Sequence, residues 1–371
     1  MGELFENCPK LGFGLMRLPK DDAGAIDIEA TKVMVDKFLA AGGKYFDTAF
    51  VYKGSEEATR EALCKRHPRS SYYLASKLNA SGWAAEDRAF AENEIYESLK
   101  RSGAEYFDFY LLHGLDSNNI DRFEEFEIWD YMQDLKRQGL VKHVGFSMHD
   151  SAEFLDDLLT RHPETEFVQL QINYADWDNN IVQARKTYEV ATKHGVPIIV
   201  MEPVKGGTLA NPPEPVENVL KAANPQVSAA SWAIRFAASL PNVAVVLSGM
   251  SSVEQMDDNL SYMKDFVPLS DAEQATIEQA REAFNAIDRI DCTACHYCTP
   301  GCPVGIHIPE IFQITNEYKL YHNLERSKGD YGWRPGGPRA SECIGCGQCE
   351  DACPQHLPII DLLKETAETF E

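Results

Sequence analysis

Several things are scarce in this chain, and each scarcity narrows what it does. No run of 18 or more apolar residues occurs, so no stretch reads as a membrane-spanning helix, and the opening MGELFENCPK has no signal-peptide core. The expected location is the cytoplasm. Basic residues are outnumbered, 35 Lys and Arg against 58 Asp and Glu, which gives a formal charge of −23 distributed along the sequence. Such a surface repels phosphate backbones and anionic lipids, and it excludes nucleic acids and membrane surfaces as expected partners. No low-complexity tract appears, and no G-x-G-x-x-G follows any candidate strand. Cysteine is almost missing from the first 290 residues, where only Cys8 and Cys64 occur, both read as plain buried or half-buried thiols.

The other eight cysteines are crowded between residues 292 and 353. Cys292, Cys295, Cys298 and Cys302 form one C-x2-C-x2-C-x3-C-P run, and Cys343, Cys346, Cys349 and Cys353 form a second. A secreted disulfide framework would scatter cysteines through a small domain, and structural zinc would leave the third cysteine and the Cys-Pro of each run without a role. C-T-A-C-H at 292–296 also fits c-type haem attachment, but that reading orphans Cys298 and Cys302 and has no counterpart in the second run. Thiolates in this spacing suit [4Fe–4S] clusters, and the duplication predicts two of them. In two-cluster proteins the fourth cysteine of each run ligates the other cluster. The pattern therefore predicts Cys292, Cys295, Cys298 and Cys353 around one cluster, and Cys343, Cys346, Cys349 and Cys302 around the other.

Upstream, eight short apolar runs alternate with helix-patterned stretches: 11–18, 44–49, 71–77, 107–113, 143–147, 167–172, 197–201 and 243–247. Helices stop on glycine immediately before strands in AAGGKYFD, RQGLVKHVGFS and KHGVPIIVM. Eight β-then-α units over some 250 residues predict a (β/α)8 barrel, with a doubly wound open sheet as the competing α/β architecture. The segment 268–288 reads as a helix with no following strand, which places the barrel in 1–288 and a small cluster-bearing domain in 289–371. Helical patterns at IPEIFQITNEYKLYHNLERS and LPIIDLLKETAETFE make that domain resemble the α-helical type of ferredoxin.

Three predicted strands end in polar residues that a packed core would not choose. Asp47 ends the second with Tyr52 just beyond it, Lys77 ends the third, and His113 ends the fourth. Singly, each has a bland reading as a turn cap, a snorkelling lysine, a satisfied core histidine or a packed tyrosine. In a barrel, however, the carboxyl ends of the strands form one mouth, and the four side chains converge there. A carbonyl that accepts hydride develops negative charge on oxygen and needs a proton donor. An ammonium beside a phenol lowers its pKa, so Lys77 is expected to acidify Tyr52 while Asp47 holds the lysine and His113 hydrogen-bonds the substrate oxygen.

FDTAFVY, the strand-terminal Lys77 and LLH resemble the catalytic tetrad of the aldo-keto reductases, in a form carrying a C-terminal 4Fe–4S ferredoxin-like domain. The resemblance covers essentially the whole chain and implies a nicotinamide cofactor bound without a Rossmann motif. By the same resemblance Ser147 and Gln169 take the carboxamide, though Met148 stands where the family has asparagine. Met201 replaces an aromatic that stacks on the nicotinamide, and Ser251, Gln255 and Asn259 belong to the phosphate and adenine loop. Family members that prefer NADPH offer Lys or Arg in that loop; none occurs in SGMSSVEQMDDNL, so NADH and NADPH stay open.

Two functions compete. The first is an oxidoreductase acting on a small carbonyl or alcohol. The second is a flavin- or ferredoxin-linked electron-transfer or redox-sensing protein whose barrel only binds cofactor. Nicotinamides pass two electrons together and a [4Fe–4S] cluster passes one, so a relay between them calls for an intermediary such as flavin, and for an external carrier such as ferredoxin. In the other reading of the tail, the clusters are structural.

Overall fold

A computed structural model of the chain describes all residues except 1, 2, 6, 83, 181, 291, 293–297 and 354–356. It contains two compact units, Met1–Asn211 with Ala223–Ile277 and Pro212–Ala222 with Glu278–Glu371.

The larger unit is a closed barrel of eight parallel strands in sequence order: β1 (Leu11–Gly14), β2 (Tyr45–Asp47), β3 (Tyr73–Leu78), β4 (Phe107–Leu115), β5 (Val141–Met148), β6 (Phe167–Gln171), β7 (Ile198–Met201) and β8 (Val243–Ser248), with β8 pairing back onto β1. All eight predicted strands are present, and the open-sheet alternative is excluded by closure. Alternation along each strand sorts the residues. In β2, Phe46 faces the helical layer and packs edge-on against Phe38 of the helix Ile28–Ala40, with ring centroids 5.2 Å apart. Its neighbour Tyr45 turns inward to a separate cluster with Phe109, Phe167 and Val245. Phe5 stacks on Phe109 at 5.1 Å within that same cluster. At β5 the inward position is Gly145, where a Cβ would lie 2.2 Å from the Phe167 carbonyl oxygen; only glycine fits.

Side-chain caps start several barrel helices. Asp27, Asp87, Ser151, Ser228 and Ser252 each accept a hydrogen bond from a backbone N–H of the first turn, an arrangement typically worth about 1 kcal/mol apiece. The glycines predicted to stop helices, Gly42, Gly139 and Gly195, all have positive φ, at 90°, 76° and 70°.

The smaller unit is helical, with Ile308–Tyr321, Leu324–Tyr331, the short Gln348–Asp351 and Ile359–Phe370. The single helix expected over IPEIFQITNEYKLYHNLERS is broken at His322, which adopts a left-handed φ of 51° and ends the first piece. The buried core is small and includes Ile306, Ile308, Phe312, Ile359 and Leu363 together with Cys298 and Cys349. Asn316 fastens the entry to the first cysteine run by pairing both the N–H and the C=O of Ile290, at 2.7 and 2.8 Å. Tyr331 bonds Glu371 at 2.6 Å and accepts from the Ala340 amide at 2.7 Å, tying the end of the chain to the approach of the second run.

Candidate active site and cluster pocket

The loop after β2 sets the barrel's chemistry. Thr48 and Phe50 extend pairing beyond the strand by donating their amides to the carbonyls of Ala75 and Lys77 in β3. The buried hydroxyls of Thr48 and Ser55 bond each other at 2.7 Å, and Ser55 donates to the Leu15 carbonyl at 3.0 Å. Between these anchors Tyr52 is turned over the barrel mouth. Lys77, fully buried, places its Nζ 2.5 Å from Asp47 Oδ1, 2.7 Å from the Thr48 carbonyl and 4.8 Å from the centre of the Tyr52 ring. The imidazole of His113 meets the same ring edge-on at 5.5 Å. A register shift in β4 after Leu112, with Gly114 at positive φ and its amide donating to Ser147 Oγ at 2.8 Å, turns His113 toward this point. The structure thus brings together all four side chains that the sequence singled out.

Electrostatics qualify one expectation. Burial pushes the Tyr52 phenol upward; the Lys77 ammonium pulls it down as expected, but burial prevails, and the carboxylates of Asp47 and Glu202 add to it. The net direction is up, so the phenol stays protonated at neutral pH. Burial also acts to neutralise Lys77, yet Asp47 and Tyr52 outweigh it and hold the amine charged. Burial, with Lys77 and His149 nearby, drives His113 well below the usual imidazole range, leaving it neutral.

Above the tetrad lies a cavity of about 650 Å³, within the range of ligand sites. Asp47, Tyr52 and His113 line it, as do all six residues assigned to cofactor contact: Ser147, Gln169, Met201, Ser251, Gln255 and Asn259. Gln169 donates weakly to the Met201 sulfur at 3.8 Å, while its buried Oε1 has no hydrogen-bond partner among the described residues. The same holds for His113 Nδ1 and Asp47 Oδ2. Buried polar atoms without partners on cavity-lining residues fit a polar ligand such as a carboxamide and a substrate oxygen.

Several lining residues escaped the sequence reading. His149, two beyond Ser147, and Glu202, next to Met201, face the cavity, and Arg17 approaches Glu202 at 3.6 Å. Glu202 and Lys205 take positive φ, 56° and 48°. Buried Asp176 gathers Gln171, Asn173 and the Lys205 ammonium at 3.0, 2.8 and 2.6 Å, and Asn173 also reaches the Glu202 carbonyl, which fastens this strained loop. Adjacency to Ser147 and Met201 was the one sequence signal for His149 and Glu202. Asp258, next to Asn259, had the same signal, whereas Ser228, which bonds it at 2.8 Å, gave none.

In the smaller unit, Cys302, Cys343, Cys346 and Cys349 line a single pocket whose other walls include Val304, Ile306, Ile308 and Leu363. Cys302 is thus grouped with the second run and not only with its own. The Ile306 amide points at the Cys302 sulfur at 3.4 Å. Soft donors in an apolar setting, with an N–H directed at a sulfur, suit an iron–sulfur cluster in kind, although among the described residues no three ligating side chains form a group that could hold a single metal ion. Cys292, Cys302, Cys343 and Cys353 all pack against the core that contains Cys298 and Cys349, so the core does not separate the first predicted ligand set from the second; Cys295 lies outside the described residues.

Comparison with known proteins agrees with the barrel and with a cluster-bearing tail. Residues 10–282 match the aldo/keto reductase family and residues 291–357 match the 4Fe-4S dicluster domain. The first match spans most of the chain, which therefore belongs to the aldo/keto reductase family of oxidoreductases and carries a C-terminal 4Fe–4S domain. Among curated relatives, the uncharacterized oxidoreductase YqkF of Bacillus subtilis is 23% identical over 284 residues, 68% of this chain and 86% of its own. An aldo-keto reductase of Mycolicibacterium vanbaalenii is 29% identical over 258 residues, covering 68% of this chain and 81% of that one. The holo form of aldo-keto reductase AKR11C1 from Bacillus halodurans superposes with a TM-score of 0.58 at 25% identity, covering 74% of this chain and 92% of that one. For an aldo-keto reductase of Klebsiella pneumoniae in complex with NADPH the TM-score is 0.60 at 21% identity, with 73% and 90% covered, a likeness of fold. Among the described residues no helix is long and apolar enough to cross a membrane.

Proposed function

We propose that the barrel, residues 1–288, reduces the carbonyl of a small molecule, or oxidises the corresponding alcohol, with NAD(P)H. When bound, the nicotinamide supplies or accepts hydride. Tyr52 gives its phenolic proton to the oxygen as negative charge develops there. Neutral His113 hydrogen-bonds that oxygen and orients the carbonyl. The Lys77 ammonium stabilises the phenolate left behind, and Asp47 keeps the ammonium in place. Ser147 and Gln169 take the carboxamide, Met201 packs on the nicotinamide ring, and Ser251, Gln255 and Asn259 serve the adenosine half. The observation that carries this reading is the buried Lys77–Asp47 pair set 4.8 Å beneath the Tyr52 ring, in one cavity with His113. A cofactor-binding sensor would not need a charged pair under a phenol.

The test is oxidation of NADH and NADPH with a panel of aldehydes, comparing wild type with Tyr52→Phe. A loss of about 10²–10⁴-fold is expected; equal rates would remove the proton-donor role. Because the phenol's pKa is raised, reduction should hold level through the neutral range while alcohol oxidation climbs with pH.

In 289–371 we propose two [4Fe–4S] clusters, one held by Cys343, Cys346, Cys349 and Cys302, the other by Cys292, Cys295, Cys298 and Cys353. The four-cysteine pocket supports the first, and the break between the two family matches supports the boundary. Held by these cysteines, the clusters would supply one-electron transfer toward an external carrier such as ferredoxin, and a flavin would be needed to convert single electrons to hydride. Anaerobic addition of NAD(P)H or substrate, with iron, sulfide and flavin quantified beforehand, should bleach the cluster absorbance. Fully loaded protein that does not bleach would leave the clusters a structural role.

A further inference from the structure

We infer that the cofactor cavity selects a dinucleotide with an unmodified adenosine ribose, NADH, over its 2′-phosphorylated counterpart NADPH. The inference rests on the reading that this cavity takes a reduced nicotinamide dinucleotide. With hydride transfer confined to the end marked by Tyr52 and His113, the adenosine half must occupy the opposite end. That end lies between the helices Ala229–Ser239 and Val253–Met263, where Ser228, Ser251, Glu254, Gln255, Asp258 and Asn259 face the cavity.

The charge at this end is of one sign. The Asp258 carboxylate accepts from Ser228 Oγ at 2.8 Å, which fixes it in place. The Glu254 carboxylate is held below its ordinary range by its own backbone amide and the Ser252 hydroxyl, and is therefore ionised at neutral pH. Among the described residues the one Lys or Arg of this cavity is Arg17, whose carbonyl accepts from Ser251 Oγ at 2.7 Å. Arg17, which also lines the cavity, is directed to Glu202 and the Gly206 turn beyond β7. Lys37 is taken up by both oxygens of Asp257, at 2.7 and 2.9 Å.

A ribose 2′,3′-diol offers hydroxyl donors that a carboxylate accepts well, whereas a 2′-phosphate brings nearly two negative charges to the same carboxylates and has only the Arg17 guanidinium, already directed to Glu202, to offset them. Ser251, Gln255 and Asn259 are neutral and add no compensating charge. Their side chains are largely committed to one another and to backbone: Ser251 Oγ donates to the Arg17 carbonyl at 2.7 Å, Gln255 Oε1 accepts from the Ser251 amide at 2.7 Å, and Asn259 Nδ2 donates to the Gln255 carbonyl at 2.7 Å.

The experiment is fluorescence titration of the full-length, cluster-loaded protein with NADH and with NADPH at low and high salt. NADH should bind at least ten-fold more tightly, and the gap should narrow at high salt as like-charge repulsion is screened. Glu254→Lys should move the NADPH-to-NADH affinity ratio at least ten-fold toward NADPH. Wild type binding the two equally, or NADPH more tightly, would overturn the inference and leave the proposed reductase intact. If neither nucleotide binds, the proposed function itself falls.

Discussion

The barrel and the C-terminal unit solve the problem of buried polarity in opposite ways. In the barrel a lysine is fully buried, yet Asp47 and the Thr48 carbonyl satisfy it, and the strands around it enclose an extensive apolar core. The site is assembled from the chain's own side chains. In the C-terminal unit a much smaller core includes cysteine thiols, and four of them surround a pocket lined otherwise by apolar side chains. In the proposed cluster-bound form iron takes these sulfurs as thiolates, so the second unit would draw on metal ligation for what the first achieves by hydrogen bonding. The lesson is that two redox sites in one chain carry different folding requirements.

Four experiments test this contrast, in order of decreasing effect. The largest should come from Cys349→Ser, which removes a buried thiol from both the core and the cysteine pocket. Iron content should fall by about half or more, and the tail should become protease-sensitive, while the barrel's thermal transition persists. Iron analysis with limited proteolysis measures this; full iron loading with a protected tail would show that Cys349 is not a ligand.

Lys77→Met comes next. It strands the buried Asp47 carboxylate, and breaking a buried pair in this way costs about 3–5 kcal/mol. Turnover should drop together with urea stability, whereas iron content should not change. A variant as stable as wild type would mean that the ion pair is not what holds the mouth together.

A smaller effect is expected from Glu94, a buried barrel carboxyl that burial pushes up to about 8, with the Asn79 amide donating to it and Glu56 nearby. Its folded pKa lies above the unfolded value, so its stabilising contribution is complete at pH below about 4.5 and is lost as pH rises toward 8. Glu94→Gln should flatten the decline of Tm between pH 5 and 8. An unchanged slope in the variant would assign that decline to other groups.

The smallest concerns the half-exposed Arg17–Glu202 contact, worth under about 1 kcal/mol as a surface pair. Arg17→Ala should speed nucleotide release no more than a few-fold by stopped flow; a change of a hundred-fold or more would make the contact a genuine latch.

Much of this was legible in the linear sequence because the signals are local. A parallel strand enclosed by helices shows as a short apolar run, a helix stop as glycine, and cluster ligation as a four-cysteine spacing used twice. Asp47, Lys77 and His113 stood out because a polar residue ending a buried strand contradicts its surroundings. Tyr52 was identified by the motif around it. Illegible were the features made by elements distant in the chain, such as Ser228 bonding Asp258 or Arg17 meeting Glu202. The break at His322 was missed because apolar spacing continues across a single left-handed residue. The direction of the Tyr52 shift was missed because the sequence supplies the neighbouring ammonium but not the degree of burial.

Read as a string alone, the chain already specifies the barrel and the duplicated cysteine pattern, since each is encoded in periodicity or spacing, and it singles out the candidate reacting groups through polar strand ends and a family resemblance. Folding settled the balance of forces at the candidate sites: burial prevailing over Lys77 at the Tyr52 phenol, Cys302 placed with the second cysteine run, and Glu254 and Asp258 brought into the lining of the cavity above the tetrad. These are sums over distance and solvent exposure, quantities that come into being only once the chain has folded.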